Sequence, residues 1–138
     1  MFPFENKLVA VMNKSVDPGK VMNALAHMCI GFGASLGRDA LNLVNYQDKT
    51  NNVYPDISKM PFIILSANSN KINNLRKSAM HEDIQFSVFT DTMTVGTWEE
   101  QIARTKETAE EDINFMGIVL FGEWGKVTEL TKKFSLWK

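Results

Sequence analysis

The chain has 138 residues, of which 44% are hydrophobic and 22% charged, proportions typical of one globular domain spanning residues 1–138. Fifteen basic and sixteen acidic residues leave a formal net charge of −1, which argues against a general nucleic-acid binder. One cysteine and two histidines exclude an internal disulfide and any plausible structural zinc set, so we predict no metal and no cofactor. Residues 1–7 carry an acidic residue where a signal peptide would be basic, and the chain has no apolar run long enough to span a bilayer, which predicts a cytoplasmic protein with no membrane partner.

The first predicted unit is a buried strand followed by a helix. Residues 7–13 are apolar and β-branched, and the helix after them is expected to begin at Pro18, with Asp17 capping its free amides. Gly33 and Gly37 are expected to adopt positive φ where this helix ends. Its apolar face, expected to cover the sheet, consists of Val21, Leu25, Met28, Cys29 and Phe32.

The rest of the chain continues the alternation of strands and helices. Strands are predicted at 41–46, 53–55, 61–67, 84–89 and 113–122, helices at 69–79 and 124–134, and a short strand or docked tail at 134–137. The charged segment 98–111 is expected to be a solvated helix or ordered loop that resembles a lid. This alternation predicts a mainly parallel sheet covered by helices on both sides.

Two glycine motifs are rejected by their context. Gly33, Ser35 and Gly37 match the nucleophile-elbow pattern G-x-S-x-G, but that chemistry requires a strand before the serine and a helix after it. The predicted order is reversed, so Ser35 is not a catalytic candidate. Gly31 and Gly33 likewise fail as a dinucleotide loop, which must join a strand to a helix.

The start of the first helix is the strongest candidate site. Lys20 occupies the first turn, where the helix dipole disfavours a positive charge by about 0.3–1 kcal/mol, and free backbone amides beside it would bind an anion. The alternative is a solvated lysine neutralised by Asp17. His27 lies seven residues later on the same helix face and is a second candidate, or else a hydrogen-bonded packing residue.

A second group of polar residues follows the strand at 84–89. Asp91 could orient a water or a ligand hydroxyl, with Thr94 as a nearby hydroxyl, although Asp and Thr also commonly bond their own turns. This site requires Lys20 and Asp91 to meet at the rim of one cavity. Four residues near these positions are predicted to contact the ligand: Asn13, Lys14, Asn23 and Thr92.

Several segments resemble type-2 peptidyl-tRNA hydrolases. Residues 8–11, the turn Pro18-Gly19-Lys20 and the helix bearing His27 resemble the opening of that family, and residues 84–91 resemble its strand that ends in aspartate. Residues 117–128 resemble its last strand and helix. Still closer is the resemblance to a bacterial domain-of-unknown-function family with that fold, DUF2000, whose members share an ending like Ser135-Leu136-Trp137.

The resemblance implies an α/β domain with a central four-stranded mixed sheet flanked by helices on both sides. It makes Lys20, His27 and Asp91 the counterparts of the hydrolase lysine, histidine and aspartate, with Thr94 displaced by one position from the family threonine. Ala24 replaces the expected glutamine. The function implied is hydrolysis of an ester or amide bond, and the alternative is a non-catalytic module that binds a small anion or nucleotide.

The predicted partners follow from the same site. A small anionic ligand or an RNA end would suit Lys20, and the sequence leaves homodimer formation open. The acidic residues at 99–100 and 107–112 would repel a polynucleotide if they covered the opening, which favours the smaller ligand.

Overall fold

The computed structural model describes residues 4–138, in which a five-stranded sheet is covered by helices on both faces. The strands are β1 (Asn6–Asn13), β2 (Leu43–Gln47), β3 (Val53–Ser58), β4 (Phe62–Ala67), β5 (Gln85–Thr90), β6 (Phe115–Glu123) and β7 (Ser135–Leu136). The helices are α1 (Pro18–Ala40), α2 (Ser69–His81), α3 (Trp98–Glu107) and α4 (Trp124–Thr131). Within this part of the chain, no helix is both long and apolar enough to cross a bilayer.

The central sheet has the strand order β5-β6-β1-β4-β7. Only β1 and β4 are parallel, whereas the other three pairings are antiparallel, so the prediction of a mainly parallel sheet is wrong. The chain segment after β5 folds back instead of crossing over, and β6 therefore runs antiparallel to both of its neighbours. The prediction of four strands is also corrected, because the C-terminal residues 135 and 136 pair with β4 as a fifth strand.

The two faces of the sheet bury different helices. Alternate residues of β1 point to opposite faces, so Leu8 and Met12 pack towards α1, whereas Val9 and Val11 pack towards α2 and α4. Each fully buried aliphatic side chain of this kind contributes about 1.5–3 kcal/mol to stability. Three residues of the predicted apolar face of α1 are buried, namely Val21, Met28 and Phe32. The predicted Leu25 and Cys29 are only partly buried against the same core, and Ala24 is buried instead.

Both ends of α1 differ in detail from the prediction. The side chain of Asp17 makes no capping hydrogen bond, although Pro18 does begin the helix. Gly37 has a φ of 86° and kinks the helix, as only glycine does without strain. Gly33 lacks the expected positive φ, because the helix continues through it.

Strands β2 and β3 form a separate antiparallel hairpin. Residues 41–46 were predicted as a strand, but the strand lies outside the central sheet, and β3 continues past Pro55 to Ser58. The Asp48 carboxylate accepts hydrogen bonds from Thr50, Asn52 and the Tyr54 hydroxyl, which lie within and just after the turn. These bonds, that from Tyr54 first, hold the pKa of Asp48 well below its usual range.

Candidate functional site

A cavity of about 840 Å³ lies between the beginning of α1 and the segment that follows β5. Lys20, Asn23 and His27 line it from α1, and Asp91 and Thr94 line it from the opposite side. The carboxyl ends of β1 and β5 lead into these two walls, because β6 runs between them in the opposite direction. The structure therefore brings together five of the eight residues that were predicted to form the site.

Lys20 is a free cation on this cavity. Its side chain is exposed in the first turn of α1, and it forms no ion pair with any acidic residue of the described chain, Asp17 included. Asp17 lines the same cavity. An anionic ligand would therefore meet an ammonium group with no competing carboxylate at ion-pair distance.

Asp91 combines a structural role with a position on the cavity wall. Its carboxylate Oδ1 accepts a hydrogen bond from the Asn114 N–H at 3.1 Å, and its own N–H donates to the Asn114 carbonyl at 3.0 Å. No described group bonds the second carboxylate oxygen, and the residue is exposed. One oxygen therefore orients the carboxylate while the other is available to a water or ligand.

The two threonines around Asp91 have different positions. The Thr94 hydroxyl donates to the Asp91 carbonyl at 2.6 Å, so its proton is already engaged while its lone pairs remain accessible. Thr92 does not line the cavity, because its buried hydroxyl lies 2.6 Å from that of Thr90 and accepts from that of Thr105 at 2.8 Å. The structure thus gives Thr92 a packing role that the sequence did not indicate.

His27 is held by a ring contact. Its imidazole stacks on Phe89 with centroids 5.8 Å apart and an interplanar angle of 24°. The side chain is exposed and makes no hydrogen bond to the described residues, unlike the hydrogen-bonded packing role considered from the sequence. Both ring nitrogens are therefore available to a ligand.

Asn13 and Lys14 lie outside this cavity. Asn13 is buried, and its amide donates to the Phe115 carbonyl at 2.9 Å and accepts from the Ser15 N–H at 2.9 Å. Lys14 lines a neighbouring cavity of about 390 Å³, next to Trp137 at the end of the chain. Asn13 therefore shapes the turn before α1 from inside, and Lys14 faces a different opening.

Helix α3 contributes to one wall of the cavity. Its Gln101 lines the cavity, and Arg104 anchors the helix by donating to the carbonyls of Thr92 at 3.1 Å and Val95 at 2.9 Å. The acidic segment after α3 turns away, since Glu110 forms an ion pair with Lys77 of α2. A hydrogen bond from Asn73, and then the contact with Lys77, lower the pKa of Glu110.

Comparison with known proteins identifies the family. The model of the family described as protein of unknown function (DUF2000) matches residues 6–138. The chain belongs to the DUF2000 family. A solved structure of a protein of unknown function, Atu0240 from Agrobacterium tumefaciens strain C58, is 18% identical, with a TM-score of 0.84 over 98% of this chain and 99% of that chain. That likeness concerns the fold alone, and no curated protein matches in sequence.

Asn114 and Gln101 are polar residues of this cavity that were not predicted from the sequence. Asn114 lines the cavity beside Asp91, and the only signal was a polar residue directly before a buried strand. Gln101 also lines the cavity, but it lies in a charged helix without buried residues, so its sequence context did not distinguish it from its solvated neighbours. Within residues 4–138, no group of three His, Cys, Asp or Glu side chains is placed to hold a metal ion.

Proposed function

We propose that this DUF2000 protein hydrolyses an ester or amide bond of a substrate that carries a negative charge. The proposal rests on the position of Lys20 and Asp91 on one cavity. Lys20 forms no ion pair with the described residues, and only one oxygen of the Asp91 carboxylate accepts a hydrogen bond from them. The resemblance to type-2 peptidyl-tRNA hydrolases supports the same chemistry, and we include in the proposal that residues 1–138 form one domain of that fold.

The proposed reaction uses Asp91 to orient and deprotonate a water. Asn114 holds one oxygen of the Asp91 carboxylate, and the other oxygen accepts a hydrogen bond from a water. The water oxygen attacks the carbonyl carbon of the substrate, and the water proton passes to Asp91. The Lys20 ammonium stabilises the oxyanion that forms. The bond to the leaving oxygen or nitrogen then breaks, and that atom takes the proton from Asp91.

The walls of the cavity favour a substrate with an anionic group beside an apolar or aromatic part. Lys20 provides the positive charge, and Phe89, Met93 and Met116 line the apolar side of the same cavity. The ring of His27, stacked on Phe89, extends this flat surface. A long polynucleotide is disfavoured more than a small ligand or an RNA end, because the chain has a formal net charge of −1.

A second candidate is a non-catalytic module that binds a small anion or nucleotide at the same place. The hydrogen bond from the Thr94 hydroxyl to the Asp91 carbonyl favours the binding module, because a hydroxyl that makes this bond cannot also donate to an oxyanion. The two candidates share the role of Lys20 and differ in whether a bond is broken.

One assay series separates the candidates. Release of product is measured from peptidyl-tRNA, aryl esters and N-acyl amino acids, with wild type and Lys20→Ala at high enzyme concentration. Turnover by the wild type that falls in Lys20→Ala, with Lys14→Ala as the matched control on the other cavity, supports hydrolysis. No turnover above background on any substrate contradicts it, and a rise in Tm with anions that requires Lys20 then supports the binding module.

A further inference from the structure

The β2–β3 hairpin exposes several large apolar side chains. Tyr46, Tyr54, Ile57 and Val53 are each more than half exposed, although they occupy paired strands. A two-stranded hairpin is marginal in water unless another strand or a packed face supports it. The internal bonds of Asp48 hold the turn, but they leave these apolar side chains uncovered.

A bulge in β3 collects apolar side chains on one face of the hairpin. Val44 lies opposite Ile57, and Tyr46 lies opposite Tyr54, so between these pairs the single residue Asn45 of β2 faces two residues of β3, Pro55 and Asp56. Tyr54 and Ile57, three residues apart, would face opposite sides of a regular strand. The extra residue places both on the face of Val44 and Tyr46.

The bulge is held by specific contacts. Asp56 has a φ of 36°, its N–H donates to Asn45 Oδ1 at 3.3 Å, and its carboxylate pairs with Arg38 of α1. The ion pair neutralises the charge of Asp56, and the Asp48 carboxylate bonds the Tyr54 hydroxyl at the turn. The hairpin therefore presents an ordered face of four uncharged side chains, those of Val44, Tyr46, Tyr54 and Ile57.

The two outer edges of the hairpin differ in their capacity to pair. On β3, Pro55 lacks an N–H and Asp56 distorts the backbone, which are devices that protect an edge from pairing. The sequence of β2, Leu43 to Gln47, contains no proline and no charged residue. Among the described strands β2 pairs with β3 alone, so its outer edge offers N–H and C=O groups for pairing and has neither of these protective devices.

The two edges of the central sheet, β5 and β7, are less suited to pairing, and β7 has only two residues. In β5, Phe86 and Val88 pack into the core that α2 covers, and Phe89 is buried. Pairing at β5 would therefore remove little large apolar surface from water, whereas pairing at β2 would bring exposed aromatic and aliphatic side chains together.

We propose that β2 pairs antiparallel, edge to edge, with β2 of a second copy of this chain. Antiparallel pairing of two identical strands is two-fold symmetric, so the same edge serves both copies and the assembly closes as a dimer. A two-fold axis perpendicular to the sheet keeps both apolar faces on one side. Val44 and Tyr46 of each copy then make cross-strand contacts in a four-stranded sheet.

The test compares two lysine substitutions on the same hairpin by sedimentation equilibrium over a range of concentrations. Tyr46→Lys places like charges next to the symmetric seam and is expected to raise the dimer Kd by about tenfold or more. Val53→Lys is the matched control, because Val53 is similarly exposed but lies on β3 and on the opposite face. It is expected to leave the Kd unchanged.

Hydrogen exchange on the wild type provides a second readout that does not depend on a variant that folds. Amides of residues 43–47 should exchange more slowly as the protein concentration rises. A wild type that stays monomeric at all concentrations overturns the proposal, as does a dimer that protects β5 instead of β2. Equal weakening by Tyr46→Lys and Val53→Lys contradicts it as well.

Discussion

Asp91 and Asn114 hold each other through two hydrogen bonds, one from each main-chain N–H. The Asn114 N–H donates to the Asp91 carboxylate at 3.1 Å, and the Asp91 N–H donates to the Asn114 carbonyl at 3.0 Å. The contact extends the β5–β6 pairing beyond its last ladder residue and fixes the carboxylate at the cavity wall. A side chain oriented in this way loses less conformational freedom when it binds a water or ligand.

Lys20→Ala should affect binding and stability in opposite directions. Loss of the ammonium is expected to weaken binding of an anionic ligand by about tenfold. Removal of a positive charge from the first helical turn should raise stability by about 0.3–1 kcal/mol. Calorimetric titration and thermal unfolding measure the two effects, and Lys14→Ala should leave ligand affinity unchanged. An unchanged affinity in Lys20→Ala would remove Lys20 from the site.

Gly117→Ala should destabilise the protein by about 1–3 kcal/mol. A Cβ on Gly117 would lie 2.6 Å from Met12 Sδ and 3.0 Å from Met28 Cε, between β6 and α1. The cost should be at the lower end of this range, because methionine side chains can shift. The control is Gly31→Ala in α1, where a Cβ meets nothing within 4 Å and should stabilise the helix by about 0.5–1 kcal/mol. Urea unfolding of both variants checks this contrast.

Arg104→Ala should loosen α3 without unfolding the core. The guanidinium bonds two carbonyls of the segment after Asp91, and the free energy of local opening is expected to fall by about 1–3 kcal/mol. Faster hydrogen exchange over residues 98–107, with little change in β1, is the expected result. Lys106→Ala, on the same helix but without such bonds, serves as the control. Exchange as slow as in the wild type would show that other contacts hold α3.

The hairpin should loosen at acidic pH before the core does. The pKa of Asp48 is held below that of an ordinary carboxyl, so its contribution to stability is complete above about pH 4 and is lost as pH falls further. NMR shifts of Val53 and Tyr54 should change over this acidic range in the wild type. In Asp48→Asn the same transition should be absent, and its persistence would assign the effect to another carboxylate.

Local patterns in the sequence were sufficient to place most strands and helices, but they could not establish how the strands pair. Residues 41–46 have the composition of a strand, yet whether a strand joins the central sheet depends on which edge it meets in the folded chain. The direction in which two strands pair could not be predicted either, because it depends on the path of the segment that connects them. Strand β7 was uncertain because two residues carry too little periodicity.

Site residues could be predicted from the sequence where a charged side chain is unusual for its position in a helix or strand. Lys20 in a first helical turn and Asp91 at a strand end are visible as such misfits, and the structure places both on one cavity. The direction of a hydroxyl is set by tertiary partners, so the burial of Thr92 and the engagement of Thr94 could not be inferred. Asn114 acquires its position only when β5 and β6 pair.

Single-turnover hydrolysis by Asp91→Asn tests the central claim most directly. The amide retains an oxygen that can accept from the Asn114 N–H, so the fold and substrate Kd should change little, while the group that takes the proton from water is lost. Any substrate found to be cleaved by the wild type should be cleaved by Asp91→Asn about 100-fold or more slowly, in the range of general base catalysis. Cleavage at the wild-type rate by a folded Asp91→Asn would contradict the proposed mechanism.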